Sequence, residues 1–180
     1  EEADALVFLG RYEEARAFAD RALALSVSGD PDTRSEIDVG CAEVYLYLLD
    51  PDAALELATR VEERDESGFY LGVLSRIRSW TCQIRGDQAG AMKGLEQALE
   101  EAKGLGQPLL VEGVTATTTL HIGRVHLAES RLEAARVAFE SSLPVLERHM
   151  LSNGIQFGEA EAVEGYMALG EVRHRLGDSE

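Results

Sequence analysis

The chain of 180 residues carries 33 acidic and 17 basic residues, which gives a formal net charge of −16 and an isoelectric point near 4.6. Nucleic acids and anionic membranes attract clustered Lys and Arg, so this balance argues against both as direct partners. No apolar run is long enough to cross a bilayer, and the first residues are acidic, unlike those of a signal peptide. Cys41 and Cys82 lack CxxC spacing and are interpreted as small buried hydrophobes of a cytoplasmic protein.

Composition and periodicity predict an all-α chain. Ala, Leu, Glu and Arg dominate, and no segment alternates apolar and polar residues for long enough to indicate a sheet. In chain order, helices are predicted near residues 1–9, 12–27, 33–49, 52–64, 68–85, 88–103, 108–129, 132–150 and 157–176. Asp30 and Asp50, each followed by a proline, are typical of helix N-termini. Ser130 and Glu133 fit a capping box, and Pro144 is expected to kink or end its helix.

Four segments share a pattern that closes on an alanine. These alanines, spaced by 39, 37 and 44 residues, are Ala15, Ala54, Ala91 and Ala135. Seven residues after each comes another compact residue, namely Ala22, Val61, Ala98 and Ser142. Because seven residues make about two helical turns, both members of a pair lie on one face, where small side chains let two helices approach closely. The pattern predicts repeated helical hairpins.

The segment from Leu9 to Ala15, with Ala22 seven residues later, resembles the tetratricopeptide repeat. Leu49 and Ser130 replace the turn glycine in the second and fourth repeats, and the repeats are longer than the family's usual 34 residues. The resemblance implies a right-handed superhelical solenoid of antiparallel helical hairpins, with about four repeats plus partial ends. The predicted repeats are 1–29 (partial), 30–66, 67–105, 106–153 and 154–180 (partial).

Stretched repeats of this kind are similar to those of large bacterial signalling proteins, such as ATP-dependent transcription activators and repeat-tailed serine/threonine kinases. Both ends of the chain fall inside a repeat, so we expect a fragment of a longer protein.

The sequence offers no motif for catalysis, a cofactor or a metal. His121 and His126 are five residues apart, which does not place two ligands on one helix face, and His149 and His174 are isolated. The Gly-Leu-Gly at 104–106 lacks the preceding strand and the Lys-Ser/Thr of a phosphate loop, and no Gly-x-Ser-x-Gly occurs. We therefore expect no enzyme activity, no cofactor and no metal site.

Residues 69–86 contain three arginines and no acidic residue, although the chain is acidic overall. In the family, the first helix of each hairpin lines a concave groove. The predicted partner-binding residues on these helices are Arg76, Trp80 and Gln83, then Thr117, His121 and Arg124, then Arg173. Arg gives charge-assisted contacts and Trp a flat apolar anchor, so the groove would accept an acidic protein segment. Alternatively, the arginines pair with acidic second helices of neighbouring repeats, and Trp80 belongs to the core.

We therefore expect a protein- or peptide-binding scaffold or sensor module of a larger, bacterial regulatory protein, which binds through its concave face. Two alternatives remain open. An effector-sensing repeat domain would need an enclosed pocket for a small molecule. An oligomerisation or spacer segment would self-associate through open repeat ends.

Overall fold

The computed structural model describes residues 2–153 and 159–178, and within these residues the chain is all-helical, without strands. In order, the helices are α1 (Glu2–Phe8), α2 (Tyr12–Ser26), α3 (Pro31–Tyr47), α4 (Pro51–Glu62), α5 (Leu71–Ile84), α6 (Gln88–Ala102), α7 (Pro108–Ala128), α8 (Leu132–Asn153) and α9 (Glu159–Leu176). The helix bounds lie within three residues of those predicted from periodicity, and the all-α prediction is confirmed.

Aspartate side chains cap three of these helices. Asp30 accepts a hydrogen bond from the backbone N–H of Thr33 at 3.0 Å, and Asp50 accepts one from Ala53 at 3.3 Å. Each satisfies an amide that has no partner in the first helical turn, and the proline that follows takes the first helical position. Both predicted caps are confirmed, and Asp87 caps α6 in the same way.

Each odd-numbered helix is followed, one or two residues after its end, by a residue in the left-handed conformation. These residues, with φ between 56° and 83°, are Gly10, Leu49, Gly86, Ser130 and Gly177. After four of them, the next backbone N–H donates to the carbonyl five residues earlier, for instance Asp50 to Tyr45 at 2.8 Å. Successive turns are 39, 37, 44 and 47 residues apart, and the first three intervals equal those between the four alanines of the sequence pattern.

The left-handed conformation of Ser130 shows that the predicted capping box is wrong. An N-cap residue has an extended backbone, whereas Ser130 has φ of 58° and its N–H donates to Leu127. Ser130 therefore ends α7 and does not begin α8. The first i→i−4 bond of α8 runs from Ala135 to the carbonyl of Arg131, which makes Arg131 the N-cap residue.

Pro144 does not end its helix, because α8 continues to Asn153. Proline leaves the carbonyl four residues earlier without its helical donor, and this carbonyl belongs to Glu140. Glu140 and Pro144 are both exposed, so water can take the place of the missing donor.

The described helices form two compact units. The first unit, Glu1–Gly86, holds α1 to α5, in which α3 packs on α1, α2, α4 and α5. The second unit, Asp87–Glu180, holds α6 to α9, in which α7 packs on α6, α8 and α9. The boundary falls inside the third predicted repeat, 67–105.

Each unit has its own hydrophobic core. Leu46 and Ile77 are fully buried in the first unit, and Leu120 and Phe139 in the second. All four alanines of the repeat pattern are inaccessible to solvent. Small residues at these positions therefore lie where two helices meet, as the sequence pattern predicts.

Candidate functional site

The first unit holds three of the predicted partner-binding residues, all on α5. Arg76 is only 8% exposed and forms an ion pair with Glu43 of α3. Trp80 is half-buried, with its ring edge-on to Tyr47 at 4.9 Å between centroids. Gln83 donates from Nε2 to the Ser79 hydroxyl at 3.3 Å on the same helix. Arg76 and Trp80 thus both contact α3.

The second unit holds the other four predicted residues. Arg124 of α7 donates to Glu164 of α9 at 2.7 Å, and Arg173 of α9 donates to Glu140 of α8 at 3.0 Å. His121 is buried and Thr117 is half-buried. The two ion pairs tie α9 to α7 and to α8.

The pairing of α5 with α4 agrees with the alternative reading of the arginines. Arg78 donates to Glu62 at 2.5 Å, and Arg85 pairs with Asp52, and both acids lie on α4, the acidic second helix of the preceding hairpin. Exposed ion pairs of this kind contribute at most about 1 kcal/mol each. An acidic partner would compete with these carboxylates for the arginines. A binding groove formed by the seven predicted residues stays a prediction.

A cleft in the first unit combines residues that the sequence pattern assigned to the fold alone. It lies between the start of α2 and the turn from α3 to α4, and its volume is about 390 Å³. The lining residues are Tyr12, Glu13 and Arg16 on one side and Tyr47, Leu48 and Leu49 on the other. Tyr12 and Leu49 are exposed, so the cleft opens to solvent with an aromatic and an aliphatic side chain at its rim.

Leu49 is the most unusual residue of the cleft. It adopts φ of 56°, a conformation that costs a side-chain-bearing residue about 1 kcal/mol, yet 72% of it is exposed. The hydroxyl of Ser130, at the equivalent turn, accepts a hydrogen bond from Arg175 at 3.0 Å. Leu49 has no such polar role, and little burial offsets its strain. Strained residues of this kind are typical of functional sites.

Arg16 is held in place on the polar side of the cleft. Its Nη2 donates to Asp50 at 2.6 Å, and its guanidinium lies 5.4 Å from the centroid of the Tyr45 ring. The hydrogen bond from Arg16, helped by the backbone N–H of Ala53, holds the pKa of Asp50 below its usual value. Asp50 therefore both caps α4 and anchors Arg16 of α2 to the turn.

The buried phenol of Tyr45 supports this arrangement. Burial raises the pKa of Tyr45, and its hydrogen bond to Asp20, at 2.5 Å, raises it further. The phenol therefore stays protonated and donates to Asp20. Chemically, the cleft offers apolar and aromatic contact beside an arginine that is paired with Asp50.

Sequence reasoning missed this cleft, although one signal was present. Tyr12 matched the repeat pattern, and Leu49 was noted only as a replacement for the turn glycine. An aliphatic residue at a position that favours glycine is the signal that points to the cleft.

Among residues 2–153 and 159–178, no group of three or more His, Cys, Asp or Glu side chains is placed to hold a metal ion. In the same part of the chain, no helix has both the length and the apolar character that crossing a bilayer requires. No protein-family model matches the chain, and no curated protein matches it at a significant level.

Proposed function

We propose that the chain is a scaffold of tetratricopeptide type that binds a protein or peptide, and that an apolar side chain of this partner enters the cleft beside Leu49. The observation that carries the proposal is Leu49 itself, which is strained, exposed and flanked by Tyr12 and Tyr47. Exposed apolar side chains that cluster at the rim of an open cleft mark interaction sites, and tyrosine and arginine are enriched at binding hot spots.

The repeat geometry supports the architectural part of the proposal. Five left-handed turns at intervals of 37 to 47 residues and four buried alanines fit a solenoid of hairpins with a concave face lined by first helices. Tyr47 lines the cleft and also contacts Trp80, so the predicted anchor and the cleft share one aromatic contact. The stretched spacing fits a sensor or scaffold module of a large cytoplasmic regulator of bacterial type.

Capture from a cell lysate tests the proposal. The immobilised chain is compared with a variant that carries Tyr12→Ala and Leu49→Gly. A matched control carries Leu25→Ala, since Leu25 is also exposed but lies at the other end of α2. We expect a protein that the parent and the control retain and the cleft variant loses. Because apolar contacts are not screened by ions, capture should persist at high salt.

A further variant distinguishes the cleft from the predicted arginine groove. Arg78→Glu with Arg124→Glu reverses two charges at positions that are not deeply buried. Arg76→Glu is unsuitable, because it would place a second carboxylate beside Glu43 in a buried position. Loss of capture in the arginine variant but not in the cleft variant, together with weakening at high salt, would contradict binding at the cleft.

A small-molecule sensor is the second candidate, because the cleft volume of about 390 Å³ lies in the range of ligand pockets. The exposure of Tyr12 and Leu49 favours a peptide side chain, since ligand pockets usually enclose most of the ligand. A melting temperature raised by metabolites and unchanged by peptides would favour the sensor. Mass that increases with concentration in light scattering would favour self-association.

A further inference from the structure

Three of the first four left-handed turns are followed by an acidic residue at the same position. The third residue after the turn is Glu13, Asp52 or Glu133, which lies in the first helical turn of α2, α4 or α8. After the turn at Gly86 the same position holds Ala89. The surroundings of the three carboxylates can therefore be compared at equivalent positions.

Two of these carboxylates are neutralised by an arginine of the chain. Asp52 forms an ion pair with Arg85, the residue that comes immediately before the next left-handed turn. Glu133 accepts a hydrogen bond from Arg136, three residues further along the same helix, at 2.8 Å. The chain thus supplies a cation at this position either from the next turn or from the same helix.

Neither arrangement is present at Glu13. Leu48 stands immediately before the next turn, at the position that Arg85 takes one turn later. Arg16, three residues after Glu13, pairs with Asp50 instead, at 2.6 Å. Within residues 2–153 and 159–178, the exposed Glu13 carboxylate has no hydrogen bond or ion pair. Its negative charge is therefore open to a cation from outside the chain.

Glu13 lines the cleft beside Leu49, together with Tyr12 and Tyr47. A lysine or arginine next to an entering apolar side chain suits this lining, because its alkyl stem packs on apolar surface while its charged end stays in water. Tyrosine faces attract a cation, and a carboxylate forms a charge-assisted hydrogen bond with it. Arg16 opposes such a cation only weakly, since it is already held in an ion pair.

The charge of the first unit also favours a basic occupant. Residues 1–86 contain 18 acidic residues, nine arginines and no lysine. A negative field of this kind speeds the association of basic segments and disfavours the approach of a second copy of the chain. We therefore expect the occupant of the cleft to be a basic segment of a different protein.

We propose that the partner segment that enters the cleft carries a lysine or arginine next to its apolar side chain, and that this cation pairs with Glu13. The pairing rests on the proposed function, because a partner segment must first enter the cleft. The partner then supplies the charge that Arg85 supplies to Asp52 one turn later.

Selection from a phage-displayed library of random peptides, with the full chain immobilised, tests the proposal. Cleft ligands are the peptides that the variant with Tyr12→Ala and Leu49→Gly no longer retains. We expect these peptides to place lysine or arginine next to an apolar residue. Glu13→Gln should weaken binding of a synthetic copy about two- to fivefold, because exposed ion pairs contribute little, and Glu13→Lys should weaken it about tenfold or more. Fluorescence anisotropy at low salt measures both.

The matched control is Glu63→Gln, which removes another exposed carboxylate of the first unit, at the C-terminal end of α4 and outside the cleft lining. It should leave the affinity unchanged, although it alters the net charge as much as Glu13→Gln does. High salt should lower the affinity of the parent to that of Glu13→Gln without abolishing binding, since ions screen only the charged contact.

The outcomes separate this proposal from the proposed function. Cleft ligands without a basic residue, or ligands that bind Glu13→Gln as tightly as the parent, would overturn the pairing and leave binding at the cleft intact. Equal weakening by Glu13→Gln and Glu63→Gln would indicate general attraction by net charge, which also overturns the pairing. If no selected peptide depends on Tyr12 and Leu49, the proposed function fails as well.

Discussion

At the scale of the residue, Leu49 and Ser130 adopt the same left-handed backbone conformation but use their side chains differently. Both occupy a turn at which Gly10, Gly86 and Gly177 adopt the same left-handed geometry. At Ser130 a hydrogen bond from Arg175 offsets part of the backbone strain. The side chain of Leu49 has no such contact and is exposed to solvent beside Tyr12. Strained residues cluster at functional sites, so the strain and exposure of Leu49 support the proposed contact with a partner.

We expect Leu49→Gly to raise the free energy of unfolding by up to about 1 kcal/mol, because glycine adopts positive φ without a Cβ clash. Urea denaturation of parent and variant measures the difference. Ser130→Gly is the control, since it relieves the same strain but removes the acceptor of the Arg175 hydrogen bond and should be near neutral. A less stable Leu49→Gly variant would mean that the side chain contributes to folding after all.

Asp50 should make the stability of the first unit depend on pH. Its pKa is lowered in the folded state, so it contributes stability above its unfolded pKa of about 4, and this is lost as pH falls through the folded value. Asp50→Asn keeps a capping oxygen but loses the charge. The difference in unfolding free energy between parent and variant should therefore be largest near neutral pH and shrink in acid. In an Arg16→Gln background most of this pH dependence should disappear, and its persistence would contradict the assigned cause.

At the scale of the element, the helices and caps could be predicted because their signals are local. Asp30 and Asp50 cap as predicted, since capping depends on residues within one turn. Ser130 was mispredicted because the short capping-box pattern also fits a serine that closes the previous helix. Leu49 in place of a turn glycine signals an unusual turn, but the other side of the cleft could not be predicted, since residues 12–16 and 47–49 meet only when α2 packs on α3. The pairing of Arg76 with Glu43 likewise depends on long-range packing, in this case of α5 on α3.

Gly123 of α7 and Gly170 of α9 each lie seven residues before a left-handed turn, yet their stabilities should respond in opposite ways to one added methyl group. Gly123→Ala forces a Cβ against Phe139 and Ala138, and we expect it to destabilise the chain by about 1–3 kcal/mol. Gly170→Ala meets no neighbour and should stabilise α9 by up to about 1 kcal/mol through helix propensity. Thermal unfolding followed by circular dichroism measures both. Equal effects of the two substitutions would contradict the difference in packing between α7 and α9.

At the scale of the whole molecule, each compact unit has its own buried cluster, centred on Leu46 and Ile77 in one and on Leu120 and Phe139 in the other. In arrays of stacked hairpins each element depends mainly on its neighbours along the chain, so stability is close to a sum of local terms.

We therefore expect fragments 1–86 and 87–180 to fold when produced separately. Each should show a helical circular dichroism spectrum and a cooperative melting transition. Core substitutions supply the control, since Leu46→Ala should abolish the transition of the first fragment and Leu120→Ala that of the second. A fragment that is unfolded on its own would show that its core is insufficient without the rest of the chain.

The left-handed turns also divide the chain into parts that can and cannot change length. At the first four turns a small residue, the turn residue and a buried alanine stand seven and five residues apart, as in Ala42, Leu49 and Ala54. The intervals between turns vary from 37 to 47 residues. Inserting one residue inside this invariant segment would rotate one helix by about 100° relative to the other and turn its alanine away from the contact. The link at 63–70 is held by Asp65, whose carboxylate accepts hydrogen bonds from the backbone N–H groups of Ser67, Phe69 and Tyr70. Added residues in the links at 27–29 or 103–107 would cost mainly loop entropy. Evolution and protein engineering can therefore vary this molecule most easily at those links.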